Sequence, residues 1–261
     1  MTLDRIAIAA EILKQARLAY QVIGSIPEDV RPRNLQEAYA VQDRLIETLG
    51  WEVGGWYCAC TNASIQQLLK LDKPYYARLL SKYILPEPAV PKAGEFPPMV
   101  LECEYGFRLS KSLPQRANPY TRDEVMDAID AVHPTIEVVA GHLKDWPNQD
   151  VWSVVADNGT DGALIYGKGQ RDWRELDLID SPVVLRVNDQ VVREGTGRNV
   201  LGDPLDAFVW LVNARSRDGG GLKAGDIHNT GTTTDIVWIK PGDSATAAFE
   251  GLGTVRLHLA S

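Results

Sequence analysis

Apolar residues recur at helical spacing through the first third of the chain and change period afterwards. Ile6, Ala9, Ile12, Leu13, Ala16 and Ala19 fall on one face of a helix, and Pro27 lies beyond its end. A second helix is predicted to start at Asn34, which with Glu37 makes a capping box, and to stop at Gly50. Leu35, Ala38, Tyr39, Leu45 and Ile46 form its buried stripe. Asn62 is positioned to cap a short third helix that runs through Leu69.

From about residue 82 the pattern turns to strands. Pro86, Pro88, Pro91, Pro97 and Pro98 mark an extended linker that delivers the chain to Val100-Leu101-Glu102-Cys103-Glu104-Tyr105. Thr121 and Glu124 form another capping box, opening a helix expected to stop before Pro134. Strand-like runs follow at 136–139, 183–187, 191–193, 236–239, 245–249 and 254–259. Asn188-Asp189 and Pro241-Gly242-Asp243 are the expected turns. Asp203-Pro204 caps a helix reaching to about Arg217, and Gly219-Gly220-Gly221 breaks the chain after it. The sum is an α+β chain: a helical N-terminal region over 1–81 on a mixed, mostly β body over 82–261.

Composition narrows the function. The 27 lysines and arginines against 35 acids leave a net charge of −8, which argues against nucleic acid and anionic membranes as partners. No apolar run reaches the roughly 18 residues of a membrane span, and the N-terminus has no signal-peptide core. Three cysteines without framework spacing fit a reducing cytoplasm.

Three acids carry the candidate chemistry. In a strand, residues two apart share a face, so Glu102 and Glu104 project together while Cys103 points away. Glu137 stands alone in the apolar run Pro134-Thr135-Ile136-Glu137-Val138-Val139 and calls for a partner. Side-by-side carboxylates in a buried setting repel unless a cation neutralises them. Mg²⁺ or Mn²⁺ suits such an all-carboxylate site. An E-x-E on a solvated sheet face is the commoner use of the same pattern.

Further short runs lie in a particular order: Val53-Gly54-Gly55-Trp56, Thr61-Asn62, Gln66-Gln67-Leu68, Lys144-Asp145-Trp146, Val155-Ala156-Asp157-Asn158, Val200-Leu201-Gly202-Asp203-Pro204-Leu205, Ala224-Gly225-Asp226, Thr230-Gly231 and Gly251-Leu252-Gly253. Together with the E-x-E and the Glu137 strand, these resemble the fumarylacetoacetate hydrolase superfamily over nearly the whole chain. The branch most similar is that of 2-oxopent-4-enoate hydratases and 4-oxalocrotonate decarboxylases. The resemblance implies a metal-dependent lyase that grips a small 2-oxo acid, or its 2-hydroxydienoate enol, through adjacent oxygens. It implies Mg²⁺ or Mn²⁺ on Glu102, Glu104 and Glu137, and a homo-oligomer. It also implies that Thr230, Gly231 and Thr232, with Thr160, contact the substrate, and that Asp157 belongs to the site or its support.

The chain departs from that branch inside the pocket. A lysine is usual where Tyr57 stands, hydratases tend to carry an aspartate at Tyr75, and Asp-Ser-Arg is usual at Ala140-Gly141-His142. Trading a lysine and an aspartate for two tyrosines leaves the formal charge of the site unchanged. The proton chemistry must nonetheless differ, because a phenol of pKa about 10 is a neutral donor. Tyr57 or Tyr75 is therefore a candidate donor to a developing enolate, the alternative being that both fill volume. His142 could replace the missing basic group, although a lone histidine is more often a loop or core residue. Cys58 and Cys60 lack the partners of a zinc site and are expected as small buried residues. Two further functions stay open: another reaction on the same platform (a tautomerase, a C–C hydrolase, a biosynthetic dehydratase or cyclase) and a non-catalytic partner subunit.

Overall fold

The computed structural model describes residues 1–261. Helix α1 (Leu3–Leu18) is capped by Thr2 and buries Ala9, Ala10, Leu13, Ala16 and Arg17. Helix α2 (Leu35–Leu49) starts at Asn34, whose side chain accepts from the Glu37 N–H at 2.9 Å, and ends at Gly50, whose φ of +65° suits glycine. The capping box expected here is half formed. The Glu37 carboxylate turns instead to the Met1 ammonium (2.7 Å), a charged and so stronger donor, and in that position also accepts from the Arg33 N–H (2.9 Å).

A mixed sheet follows. Its strands lie in the order β2 (Tyr75–Leu80), β1 (Val53–Ala59), β9 (Ile227–Asn229), β4 (Met99–Leu109), β5 (Ile129–Val139), β6 (Asp161–Tyr166), β3 (Ile84–Pro86). The eighth strand, β10 (Val237–Ile239), pairs with the start of β4, opposite residues 99–101. The segment expected as a helical N-terminal region thus supplies two strands to this sheet as well as its helices. The run Val-Gly-Gly-Trp-Tyr-Cys-Ala of β1 shows no alternation, because protein covers both of its faces.

A second difference concerns Pro134. The capping box at Thr121 forms, but helix α4 (Arg122–Met126) is a single turn, and β5 already begins at Ile129. Pro134 sits inside that strand, between β4 and β6. Its carbonyl accepts from the Gly167 N–H at 2.8 Å, just past the end of β6, so its missing N–H falls where the ladder has stopped.

The β4–β5 pair is the spine. Leu101, Cys103, Tyr105, Phe107 and Leu109 point to one face, against a second sheet ordered β12 (Gly253–His258), β11 (Ser244–Phe249), β7 (Pro182–Val187), β8 (Gln190–Thr196) and against α6 (Pro204–Arg217). Phe107 stacks on Phe208 at 4.8 Å and Tyr105 meets the edge of Phe249 at 5.2 Å. Burying each such ring contributes about 1.5–3 kcal/mol, so α6 cannot leave the sheet without losing several. The expected turns both form, with Asn188 and Asp189 left-handed in the β7–β8 hairpin. On the other face of β4, the interior beneath Glu102 and Glu104 is closed by α1, α2, α3 (Ala63–Leu69) and α5 (Val151–Ala156). No helix is long and apolar enough to cross a membrane.

The parallel contact of β1 with β9 depends on Gly55, where a Cβ would come within 1.8 Å of the Ile227 carbonyl oxygen. Gly55→Ala is expected to force the two strands apart and cost about 1–3 kcal/mol. Thermal unfolding should show this as a melting point lower by roughly 2–10 °C. An unchanged value would mean that the strands do not meet there.

Candidate active site

The register of the spine builds the site. Glu102 lies directly opposite Glu137 across the β4–β5 pair, and Glu104 lies opposite Thr135 on the same face. One oxygen from each of Glu102, Glu104 and Glu137 lies within 4.8 Å of the others. Like charges facing each other across a sheet are destabilising. Burial pushes Glu102 up to about 7. Burial and the charges of Glu137 and Glu102 hold Glu104 well above the carboxylate range, and burial with Glu102 does the same to Glu137.

Neutral donors are all that the protein offers in return. The Asn229 amide bridges Glu104 (2.6 Å) and Glu137 (2.5 Å), and the Gly231 N–H donates to Glu104 at 2.7 Å. Both donors arrive because the edge of β4 is paired only at its ends, by β9 opposite 106–108 and β10 opposite 99–101. Residues 230–236 cross the gap between them, tied down by the Thr233 N–H on the Cys103 carbonyl at 2.7 Å. Three crowded carboxylates with hard oxygen donors and no cationic side chain beside them fit Mg²⁺ or Mn²⁺.

The carboxylates face a partly open pocket with about 30 Å³ of free volume, room for a water or two, so a substrate would enter by displacing side chains or water. Tyr57, Tyr75, Gly159 and Thr160 form one wall, Gly231 and Thr232 another, and Ile65, Leu69, Val139 and Trp146 an apolar end. Cys58 and Cys60 line it as buried free thiols.

Not every residue expected here arrives as expected. The Tyr57 hydroxyl donates to the Asn158 carbonyl at 2.6 Å, so its proton is engaged. The Tyr75 hydroxyl takes no partner within the chain. Burial, ahead of the neighbouring charges, holds both phenols well above 10, so both are neutral donors. His142 and Asp157 do not line the cavity. They lie behind its wall, where the Asp157 carboxylate accepts from the His142 N–H at 2.8 Å with the ring at 3.3 Å. His142 therefore does not supply a basic group to the cavity. The turn expected to greet a substrate anion is spent on the protein: Thr230 Oγ1 donates to the Tyr105 carbonyl (3.4 Å), Thr232 Oγ1 to the Thr234 carbonyl (2.7 Å), and the Gly231 N–H to Glu104.

Sequence reasoning missed Asn229, the apolar end and Arg17. Asn229 had a signal, an amide just before the Thr-Gly turn. Arg17 had one too, since it continues the buried stripe of Ala10 and Leu13 and so had to find a partner inside.

With this geometry in view, kinship is informative. The pattern of the fumarylacetoacetate (FAA) hydrolase C-terminal domain matches residues 65–260. The chain belongs to the fumarylacetoacetate hydrolase family. Within it, the chain is 32% identical over 257 residues to 2-keto-4-pentenoate hydratase of Paraburkholderia xenovorans, covering 97% of this chain and 94% of the relative. It is 29% identical over 258 residues to 4-oxalocrotonate decarboxylase of Pseudomonas sp. strain CF600, covering 98% and 97%. The solved structure of 4-oxalocrotonate decarboxylase from Pseudomonas putida G7, complexed with magnesium and adipate, superposes with a TM-score of 0.90 at 28% identity, covering 99% of this chain and 98% of that one.

The carboxylate cluster makes stability depend on pH with a definite sign. Each of the three has its folded pKa above the unfolded value, so its contribution is full below about pH 4.3 and is lost as pH rises through the folded values, near 7 for Glu102. The metal-free protein should melt lower at pH 8 than at pH 5. Mn²⁺ at a hundredfold excess over its Kd at pH 8 should add about 2.7 kcal/mol there, and the same concentration should add less at pH 5, where protons compete. Calorimetry at the two pH values checks both; a Mn²⁺ shift that is larger at pH 5 would contradict the assignment.

Proposed function

We propose that this protein is a Mg²⁺- or Mn²⁺-dependent lyase of a small 2-oxo acid or its 2-hydroxydienoate enol, adding or removing water or releasing CO₂ by way of an enolate. The observation that carries the proposal is the crowded Glu102–Glu104–Glu137 cluster, half-buried at Glu102 and buried at the other two, lining one pocket. A chain 32% identical to a 2-keto-4-pentenoate hydratase over nearly its full length supports it. Glu102, Glu104 and Glu137 would hold Mg²⁺ or Mn²⁺, which would supply Lewis-acid stabilisation of the enolate.

The chain's own residues do the rest. Asn229 fixes the rotamers of Glu104 and Glu137, which would otherwise swing apart under their repulsion. Tyr75 offers the free hydroxyl of the tyrosine pair, and its raised pKa keeps it a neutral hydrogen-bond donor to negative charge developing on the substrate. The Tyr57 hydroxyl donates to the Asn158 carbonyl and serves the wall. The apolar end keeps water from the reacting carbons and receives the substrate's tail.

No lysine, arginine or histidine lines the cavity. Three carboxylates and a dication sum to −1, so a second substrate carboxylate would meet net negative charge and an apolar wall. That favours adding or removing water on a substrate with an uncharged tail over decarboxylation, in which the enolate would form by loss of CO₂ from such a second carboxylate. A second reading rests on the same fact: with Tyr57 in place of the usual lysine, the platform runs a different reaction of enolates, such as a tautomerisation or a C–C hydrolysis. The protein works as a homo-oligomer in the cytoplasm, where three buried free thiols persist and where assembly would cover exposed Leu3, Ile8 and Trp238.

Glu104→Gln should weaken Mn²⁺ binding and abolish turnover of 2-keto-4-pentenoate. Tyr75→Phe should lower kcat roughly a hundredfold with little change in KM, and Tyr57→Phe should do much less. Equal effects of the two phenylalanine substitutions would remove Tyr75 from its role. If Tyr57→Lys raises hydratase or decarboxylase turnover, the second reading gains. A light-scattering mass of one chain would refute the oligomer.

A further inference from the structure

The cavity wall contains a run of backbone that the chain does not adopt freely. Asn158 (φ +51°), Gly159 (φ +63°) and Thr160 (φ +70°) are consecutive and all left-handed. For a β-branched residue such as Thr160 this is a strained conformation, which persists only where surroundings enforce it. The loop is also what Tyr57 and Tyr75 lean on. A Cβ on Gly159 would lie 2.4 Å from the Tyr57 hydroxyl and 3.0 Å from the Tyr75 ring, and the Asn158 carbonyl holds the Tyr57 proton.

What grips this loop comes from the far end of the chain. Arg17, in the last turn of α1 and 3% exposed, reaches the residues at both ends of the run. One guanidinium nitrogen contacts the Asp157 carbonyl (3.3 Å), Asp157 Oδ1 (3.3 Å) and Asp161 Oδ1 (2.8 Å). Burial opposes its charge, but Asp161 and Asp157 together outweigh that and keep it protonated. Asp157 is braced from behind by His142. Helix α1 itself contributes nothing to the cavity lining.

We propose that Arg17 is a positioning residue of the site. By bridging Asp157 and Asp161 it holds the left-handed run 158–160 in place, and that run seats Tyr57 and Tyr75 against the carboxylates. The proposal rests on reading the cavity as the reaction site, and it makes the N-terminal helix part of the catalytic apparatus. His142 then has a role after all, as the brace of Asp157 behind the wall.

The test compares wild type, Arg17→Gln and Arg17→Lys as full-length, Mn²⁺-loaded proteins. Lysine keeps the charge and the helix but sets its ammonium on a differently shaped stem, away from where one guanidinium nitrogen meets both carboxylates. Hydrogen exchange is followed at 157–161 and, as an internal reference, at 100–106, alongside Mn²⁺ affinity, kcat and KM on 2-keto-4-pentenoate. For Arg17→Gln, exchange at 157–161 should rise about tenfold or more while 100–106 stays protected. Its kcat should fall roughly a hundredfold with KM and Mn²⁺ affinity nearly unchanged. Arg17→Lys should recover part of both losses. Unchanged exchange at 157–161 overturns the proposal. So does a rise shared equally by 100–106 with Mn²⁺ affinity lost in parallel, since that is general loosening; if Arg17→Gln fails to fold, Arg17→Lys is read against the same criteria. Should wild type turn over no 2-oxo acid while the exchange pattern holds, the assigned reaction falls and the clamp stands.

Discussion

Mutual repulsion among three crowded carboxylates, two of them buried, is the constraint around which this protein is arranged. Antiparallel register sets Glu102 against Glu137, and the strand's two-residue period puts Glu104 beside them. A fold that gathers these charges without a cationic side chain must stabilise them some other way. It supplies an asparagine amide and one backbone N–H, which orient the oxygens and leave their charge largely uncompensated. The remaining deficit is the affinity for a dication. The site is thus held ready by the fold at a cost to the metal-free chain, as expected where ligand binding and folding are linked.

Much of the architecture serves to reach those carboxylates from the correct sides. Strand β4 gives one face to the apolar core shared with the second sheet and α6, which holds it rigid. Its other face is capped by helices from both the N-terminal third and the middle of the chain. Its edge is paired twice and left open between, and the Thr-Gly-Thr turn enters through that gap. Donors that look, by residue type, like substrate contacts prove to be the fastenings of this turn. Their hydroxyls bond backbone carbonyls because a buried turn has few other partners for them. The same economy explains Tyr57, whose buried phenol found the Asn158 carbonyl. Tyr75 alone of the pair keeps its hydroxyl for what enters.

Legibility in the sequence followed the range of the interaction responsible. Helices α1, α2, α3 and α6 could be read because their caps and apolar stripes are local, as were the β7–β8 hairpin turn and the turn that carries β10 over to β11 in the second sheet. Strands β1, β2, β6 and β9 were not predicted, since strands covered on both faces lose alternation and β9 has three residues. The strand around Pro134 was truncated in prediction because a proline is an obstacle only where its N–H is needed, which depends on the neighbour strand's length. The three acids were found because charge in an apolar run is a local anomaly. His142 was misplaced, and Arg17 and Asn229 were missed, because their partners are far away in sequence.

Local pattern by itself determined an α+β chain with acids on one strand face, and the order of its short motifs carried the resemblance to the fumarylacetoacetate hydrolase superfamily, with tyrosines where that family has a lysine and an aspartate. Tertiary structure alone decided which hydroxyl is free, which histidine stands behind the wall, and which arginine grips the loop beneath the tyrosines. The physical reason is that residue type sets what a group can donate or accept, while packing between distant segments sets whether another group has already taken it.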